Sequence, residues 1–128
     1  MILDDYAVFL TSLGIQFSRT NGFSVWIRNI MISLSASRSG MITLESYVGL
    51  VSYGKRNADR LTAALVDAFP RYKIYPDKYS GYYEIEVDQN FPYTSVDALH
   101  EQVVIMVEMI EQSYQIGTEM LGRELFHR

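Results

Sequence analysis

The period of the apolar residues changes several times along this chain, and the order of those changes restricts the fold more than any single residue does. From Ile2 to Leu13, the residues Ile2, Tyr6, Phe9, Leu10 and Leu13 recur at three- and four-residue steps, which predicts a helix ending at Gly14. Alternation then takes over. Ile15–Thr20 and Phe23 onward read as strands around Asn21-Gly22, a pair whose residues both tolerate positive φ. A two-residue loop there predicts Phe17 opposite Trp26, with Phe23, Val25 and Ile27 on the other face. Ile30, Ile32, Leu34 and Ala36, separated by serines, carry the second strand to about Ala36 past an irregularity near Asn29. Arg38-Ser39-Gly40 reads as its turn. A third strand spans Met41–Val51, with Ile42, Leu44, Val48 and Leu50 on one side and Ser46 interrupting that side.

Helical spacing returns at Ala58, Leu61, Leu65, Ala68 and Phe69, within Gly54–Phe69, and Pro70 stops it. Arg71–Tyr75 and Tyr82–Gln89 predict a second hairpin around the turn-rich stretch from Pro76 to Gly81, the first strand ending at Pro76. Thr94, with Asp97 three residues on, reads as the N-cap of a last helix. Its stripe is Val96, Leu99, Val103, Met106, Val107, Ile110 and Tyr114, and it extends in register through Leu121 and Leu125. Gly117 and Gly122 each cost about 1 kcal/mol relative to Ala in a helix interior. The expected fold is α+β, in the order α-β-β-β-α-β-β-α, with a five-stranded antiparallel sheet packed with helices in a single domain over residues 1–128.

Composition narrows the function classes. With 128 residues, 48% of them hydrophobic, one sizeable core is affordable and a second domain is not expected. Eleven Lys and Arg against fifteen Asp and Glu give a net charge of -4, the wrong sign for a phosphate-backbone partner, so nucleic acid is not an expected ligand. The chain has no cysteine, which removes disulfides and thiolate chemistry and suits a reducing compartment. Met-Ile-Leu-Asp-Asp has neither a basic leading segment nor a sustained apolar run, so no signal peptide or membrane span is expected and the location is expected to be cytoplasmic.

No catalytic signature accompanies these patterns. The two histidines, His100 and His127, have no second His at helical metal spacing, and Asp97 is the one partner near His100. The serines lie in no nucleophile turn, and the glycines form no phosphate loop. Catalytic, cofactor and metal residues are therefore all expected to be absent. Glu84, Glu86 and Asp88 share one strand face and could hold a divalent cation or a small ligand. The competing reading is a solvent-side row offset across the hairpin by Arg71 and Lys73. The chain has ten tyrosines, and Tyr72, Tyr75, Tyr79, Tyr82, Tyr83 and Tyr93 crowd the second hairpin and its flanks, which is more than strand propensity requires and points to a contact surface.

The hairpin at Asn21-Gly22, the helix Leu61–Phe69 leading into Tyr72-Lys73-Ile74-Tyr75, the return strand Gly81–Val87 and the helix start at Thr94-Ser95-Val96-Asp97 together resemble two related groups. These are the class I chaperones of type III secretion and the YbjN family of proposed bacterial sensory-transduction regulators. The resemblance covers nearly the whole chain. It implies a homodimer without enzymatic activity, binding a protein partner or an extended client segment on apolar sheet and helix surface. On this chain the expected interaction residues are Phe17, Trp26, Tyr75, Tyr79 and Tyr82. The alternative is a small-ligand or divalent-metal-binding protein centred on Glu84, Glu86 and Asp88.

Overall fold

Helix α1 (Ile2–Leu13) stops where Gly14 takes φ +69°. The Gly14 and Ile15 amides then bond back to the Thr11 and Leu10 carbonyls, at 3.1 and 3.0 Å, which is the Schellman arrangement. Tyr6, Ala7 and Leu10 form the buried stripe of this helix, whereas Leu13, expected within it, is exposed. In the computed structural model, residues 2–50, 54–79, 82–122 and 126–127 are described. Val51, the Ser80-Gly81 pair and Leu125, together with the side chains of Tyr79 and His127, lie outside the described residues.

Strands β1 (Phe17–Ser18), β2 (Phe23–Ile27), β3 (Ile30–Ala36) and β4 (Met41–Leu50) follow, each antiparallel to the one before. The tight turn of this meander falls at Arg28-Asn29 and not at Asn21-Gly22. Arg28 and Asn29 have φ +50° and +67°, and Ile27 pairs directly with Ile30 across them. Two consecutive positive φ values are what a two-residue hairpin of right-handed twist requires. At the other turn Gly22 alone is positive, at +79°, and the loop is longer. Phe17 therefore pairs with Val25 instead of Trp26, a slip of one residue that moves Phe17 to the opposite face.

Helix α2 (Lys55–Ala68) sits between Gly54 as N-cap and Phe69 as C-cap, and buries Ala58, Leu61 and Leu65. Strand β5 (Lys73–Tyr79) then runs straight through Pro76, where a turn was expected, and pairs with β6 (Tyr82–Pro92) from Lys73↔Asp88 to Tyr79↔Tyr82. Proline is tolerated because β5 is the last strand of the sheet; at an edge a missing N–H can face away from the ladder. Helix α3 (Val96–Leu121) is capped by Ser95, whose Oγ accepts from the Ala98 amide at 3.1 Å, so the N-cap is one residue later than Thr94. It runs unbroken through Gly117 and ends at Gly122, φ +81°.

Strand β7 (Phe126–His127) pairs with the end of β4. The hydrogen-bonded order is β1-β2-β3-β4-β6-β5, with β7 beside β4. The path holds six strands, not the expected five, because Phe23–Ala36 is cut into two strands by the turn at Arg28-Asn29. The α+β class and the three helices match the expectation.

The chain clusters into two compact units. The first comprises Met1–Glu45 and Gln89–Glu108; its core includes Tyr6, Leu10, Phe23, Val25, Ile32, Leu44, Leu99 and Val103. The second comprises Ser46–Asp88 and Met109–Arg128, with Leu61, Leu65, Ile74, Ile85, Val87 and Ile110 buried. Burying each such aliphatic side chain contributes roughly 1.5–3 kcal/mol.

Candidate functional site

In the first unit, strand alternation sends Phe23, Val25, Ile32 and Leu34 to one side of the sheet, where all are buried. A chain of rings organises that side. Phe17 stacks on Phe23 at 5.7 Å, Phe23 on Tyr6 at 5.9 Å and Tyr6 on Phe9 at 6.1 Å, while His100 meets Phe9 at 5.1 Å. Tyr6 is fully buried, and its hydroxyl lies 2.8 Å from Nδ1 of His100. With the ring proton on Nε2, Tyr6 donates and Nδ1 accepts. Burial lowers the His100 pKa from the usual 6.5, against a smaller opposing pull from Asp97. His100 is thus half-buried, and its Nδ1 is engaged by Tyr6 although Asp97 is its one near neighbour in sequence that could share a metal. Sequence reasoning missed this contact because Tyr6 and His100 are 94 residues apart.

The ring contacts of α1 and α3 lie on this Phe23 side of the sheet. The opposite side carries Ser24, Trp26, Met31, Ser33, Ser35 and Thr43, with Trp26 directly across from Met31. Trp26 is half-buried and Met31 is 38% exposed. Of the two first-unit residues expected to share an interaction face, Trp26 is therefore on the outer side and Phe17 is on the helix side.

In the second unit, the β5–β6 register puts Lys73, Tyr75 and Asp77 on the same face as Glu84, Glu86 and Asp88. The Tyr75 hydroxyl donates to both Glu86 Oε2 and Asp88 Oδ2, the latter at 3.0 Å. These hydrogen bonds, led by that to Glu86, push the tyrosine pKa well above its usual value. Asp77 is also raised, first by its hydrogen bond to Glu86 and then by burial. Glu86 is 8% exposed, so this part of the acidic row is not the solvent side that was expected. Lys73 faces Asp88 in register, yet its ammonium lies over the Tyr75 ring at 5.5 Å, and Arg71 lies over Tyr72 at 5.8 Å. Tyr82 donates to Glu84 Oε1 at 3.3 Å. Glu86 and Asp88 each offer an oxygen within 4.8 Å of the other, a spacing at which two carboxylates could share a cation. Asp88 Oδ1 is buried with no hydrogen-bond partner among the described residues. Tyr75 and Tyr82 are half-buried and occupied by carboxylates, so the hairpin tyrosines serve this network as well as any surface.

The elements in this order define an α+β fold shared with solved structures. One is YbjN from E. coli, described as a candidate transcription regulator, with TM-score 0.65 and 14% identity over 88% of this chain and 89% of that one. Another is an uncharacterized protein from Methanothermobacter thermautotrophicus, with TM-score 0.69 and 12% identity over 95% of this chain and 100% of that one. No protein-family model and no curated protein matches the sequence. Among the described residues no helix is long and apolar enough to cross a membrane.

Proposed function

We propose that this chain is a non-enzymatic, regulator- or adaptor-like protein-binding module that works as a homodimer in the cytoplasm. The observation that carries the reading is the Trp26–Met31 pair on the sheet side away from Tyr6 and His100. Tryptophan and methionine are enriched at protein interfaces, and an aromatic beside a flexible thioether can adapt to a partner's surface. The serines flanking the pair supply a polar border. The shared fold with a candidate regulator adds support of the same kind.

Sedimentation velocity on the wild type and on Trp26→Ala tests it. The expected result is a concentration-dependent dimer whose dissociation constant rises at least about tenfold in the variant, as for loss of a moderate interface anchor. A strict monomer, or a dimer indifferent to the substitution, removes the assignment.

A second reading, divalent-cation or small-ligand binding on the Glu84, Glu86 and Asp88 face, is favoured by the buried Asp88 Oδ1, which has no hydrogen-bond partner among the described residues. Against it, the Tyr75 hydroxyl already lies between Glu86 and Asp88 and screens their repulsion with a neutral donor. Calorimetric titration with Ca²⁺ and Mg²⁺, repeated on Glu86→Gln, decides: specific heat of binding lost in the variant favours the cation.

A further inference from the structure

The first unit has a groove that neither the Trp26 face nor the Tyr6–His100 contact uses. It has a volume of about 510 Å³ and is lined by Ile2, Leu3 and Asp4 of α1, Arg19 of the β1–β2 loop, and Ala36, Ser37 and Arg38 at the end of β3. Ile2, Leu3 and Ala36 supply apolar wall, and the two arginines supply charge. Arg19 is already matched, by an ion pair with Asp4 at 2.5 Å. Arg38 has no ion pair among the described residues. The groove therefore carries one uncompensated positive charge on a chain whose net charge is -4.

We propose that this groove binds a partner peptide segment in which an acidic side chain adjoins an aliphatic one, the carboxylate meeting Arg38 and the aliphatic group meeting Ile2, Leu3 and Ala36. The guanidinium matches a carboxylate in a two-bond fork, and its surplus charge selects for the acid. Five of the seven lining residues, Asp4, Arg19, Ala36, Ser37 and Arg38, are exposed, so the groove cannot enclose most of a small molecule as a ligand pocket does. An extended segment laid across it needs no enclosure. This site stands on observations separate from the Trp26 face, and either assignment can fail without the other.

The experiment uses the full chain and a fluorescein-labelled octapeptide of alternating Glu and Leu, with the Gln-for-Glu peptide as control. Fluorescence anisotropy is expected to show binding that weakens at least about fivefold in Arg38→Gln and on raising salt from about 50 to about 300 mM, conditions that shorten the Debye length more than twofold. The Gln peptide is expected to bind correspondingly less well, and Trp26→Ala to bind as the wild type. Amide NMR shifts are expected at Leu3, Ser37 and Arg38. Failure to bind, equal binding of the Gln peptide, or an unaffected Arg38→Gln variant overturns the proposal. So does displacement by millimolar inorganic phosphate or by decanoate as effective as that by unlabelled peptide, which would make the groove a site for free anions or fatty acids. Arg19→Gln is a second variant, and circular dichroism on both establishes that the fold is retained.

Discussion

The Tyr6 hydroxyl on α1 and Nδ1 of His100 on α3 lie 2.8 Å apart, and they join two helical segments of the first unit through a tyrosine with no exposed surface. Because burial holds the His100 pKa below 6.5, the unfolded chain binds more protons than the folded one as pH drops below that value. This contribution to stability is complete above about pH 6.5 and is lost on acidification until the folded-state pKa is passed. Urea unfolding followed by Trp26 fluorescence is expected to show the loss in the wild type, and subtraction of His100→Phe isolates it. A pH-independent difference between the two proteins contradicts the assignment.

The same contact predicts an order of severity. His100→Phe leaves a fully buried hydroxyl without an acceptor and is expected to cost about 1–3 kcal/mol. Tyr6→Phe leaves the half-buried imidazole, which reaches water, and is expected to cost less. Equilibrium unfolding midpoints at pH 7.5 give the comparison.

Asn29 holds φ +67° in the turn between β2 and β3. A β-branched residue is strained there, so Asn29→Val is expected to destabilise by about 1–2 kcal/mol, whereas Asn29→Gly is expected to be near neutral or stabilising. Matching midpoints for the two variants would mean that this turn does not set the register.

Asp77 has its pKa raised by the hydrogen bond to Glu86, so it contributes stability that is present below pH 3.8 and is lost as pH rises through the raised value. Asp77→Asn is therefore expected to raise the thermal midpoint at pH 7 and to leave it little changed near pH 3.5. Calorimetry at the two pH values checks both sign and window.

Phe17 and Trp26 are expected to separate in their effects. Phe17 stacks on Phe23 with an interplanar angle of 8°, so Phe17→Ala is expected to lower stability by about 1–3 kcal/mol and to leave self-association unchanged. Trp26→Ala is expected to weaken association more than stability. Parallel melts and sedimentation runs on the two variants measure the split; an association defect in Phe17→Ala would return that residue to the interface.

The helices were legible because their signals are local: Gly14 ends α1, Gly54 and Phe69 bound α2, and the stripe from Leu99 to Ile110 is uninterrupted. The shared face of Glu84, Glu86 and Asp88 was equally readable from alternation alone. The turns were not. Asn21-Gly22 has the composition of a tight hairpin, but only Gly22 uses it, and the tight turn falls on Arg28-Asn29, where arginine at positive φ gives no compositional cue. Pro76 read as a terminator because the edge position of β5 is a property of the assembled sheet. With the first hairpin read one residue out of register, Phe17 was assigned to the Trp26 face; with β5 ended early, Asp77 was left out of the acidic cluster. The Tyr6–His100 contact depends on long-range packing that no local pattern encodes.

Pro76 also limits how another chain can join this one. A β-strand seeking to extend the sheet alongside β5 would find no donor at Pro76, and would lie beside a seven-residue strand that carries two lysines, Lys73 and Lys78. Runaway edge-to-edge stacking is discouraged there, and recognition at this border is left to side chains instead of backbone templating.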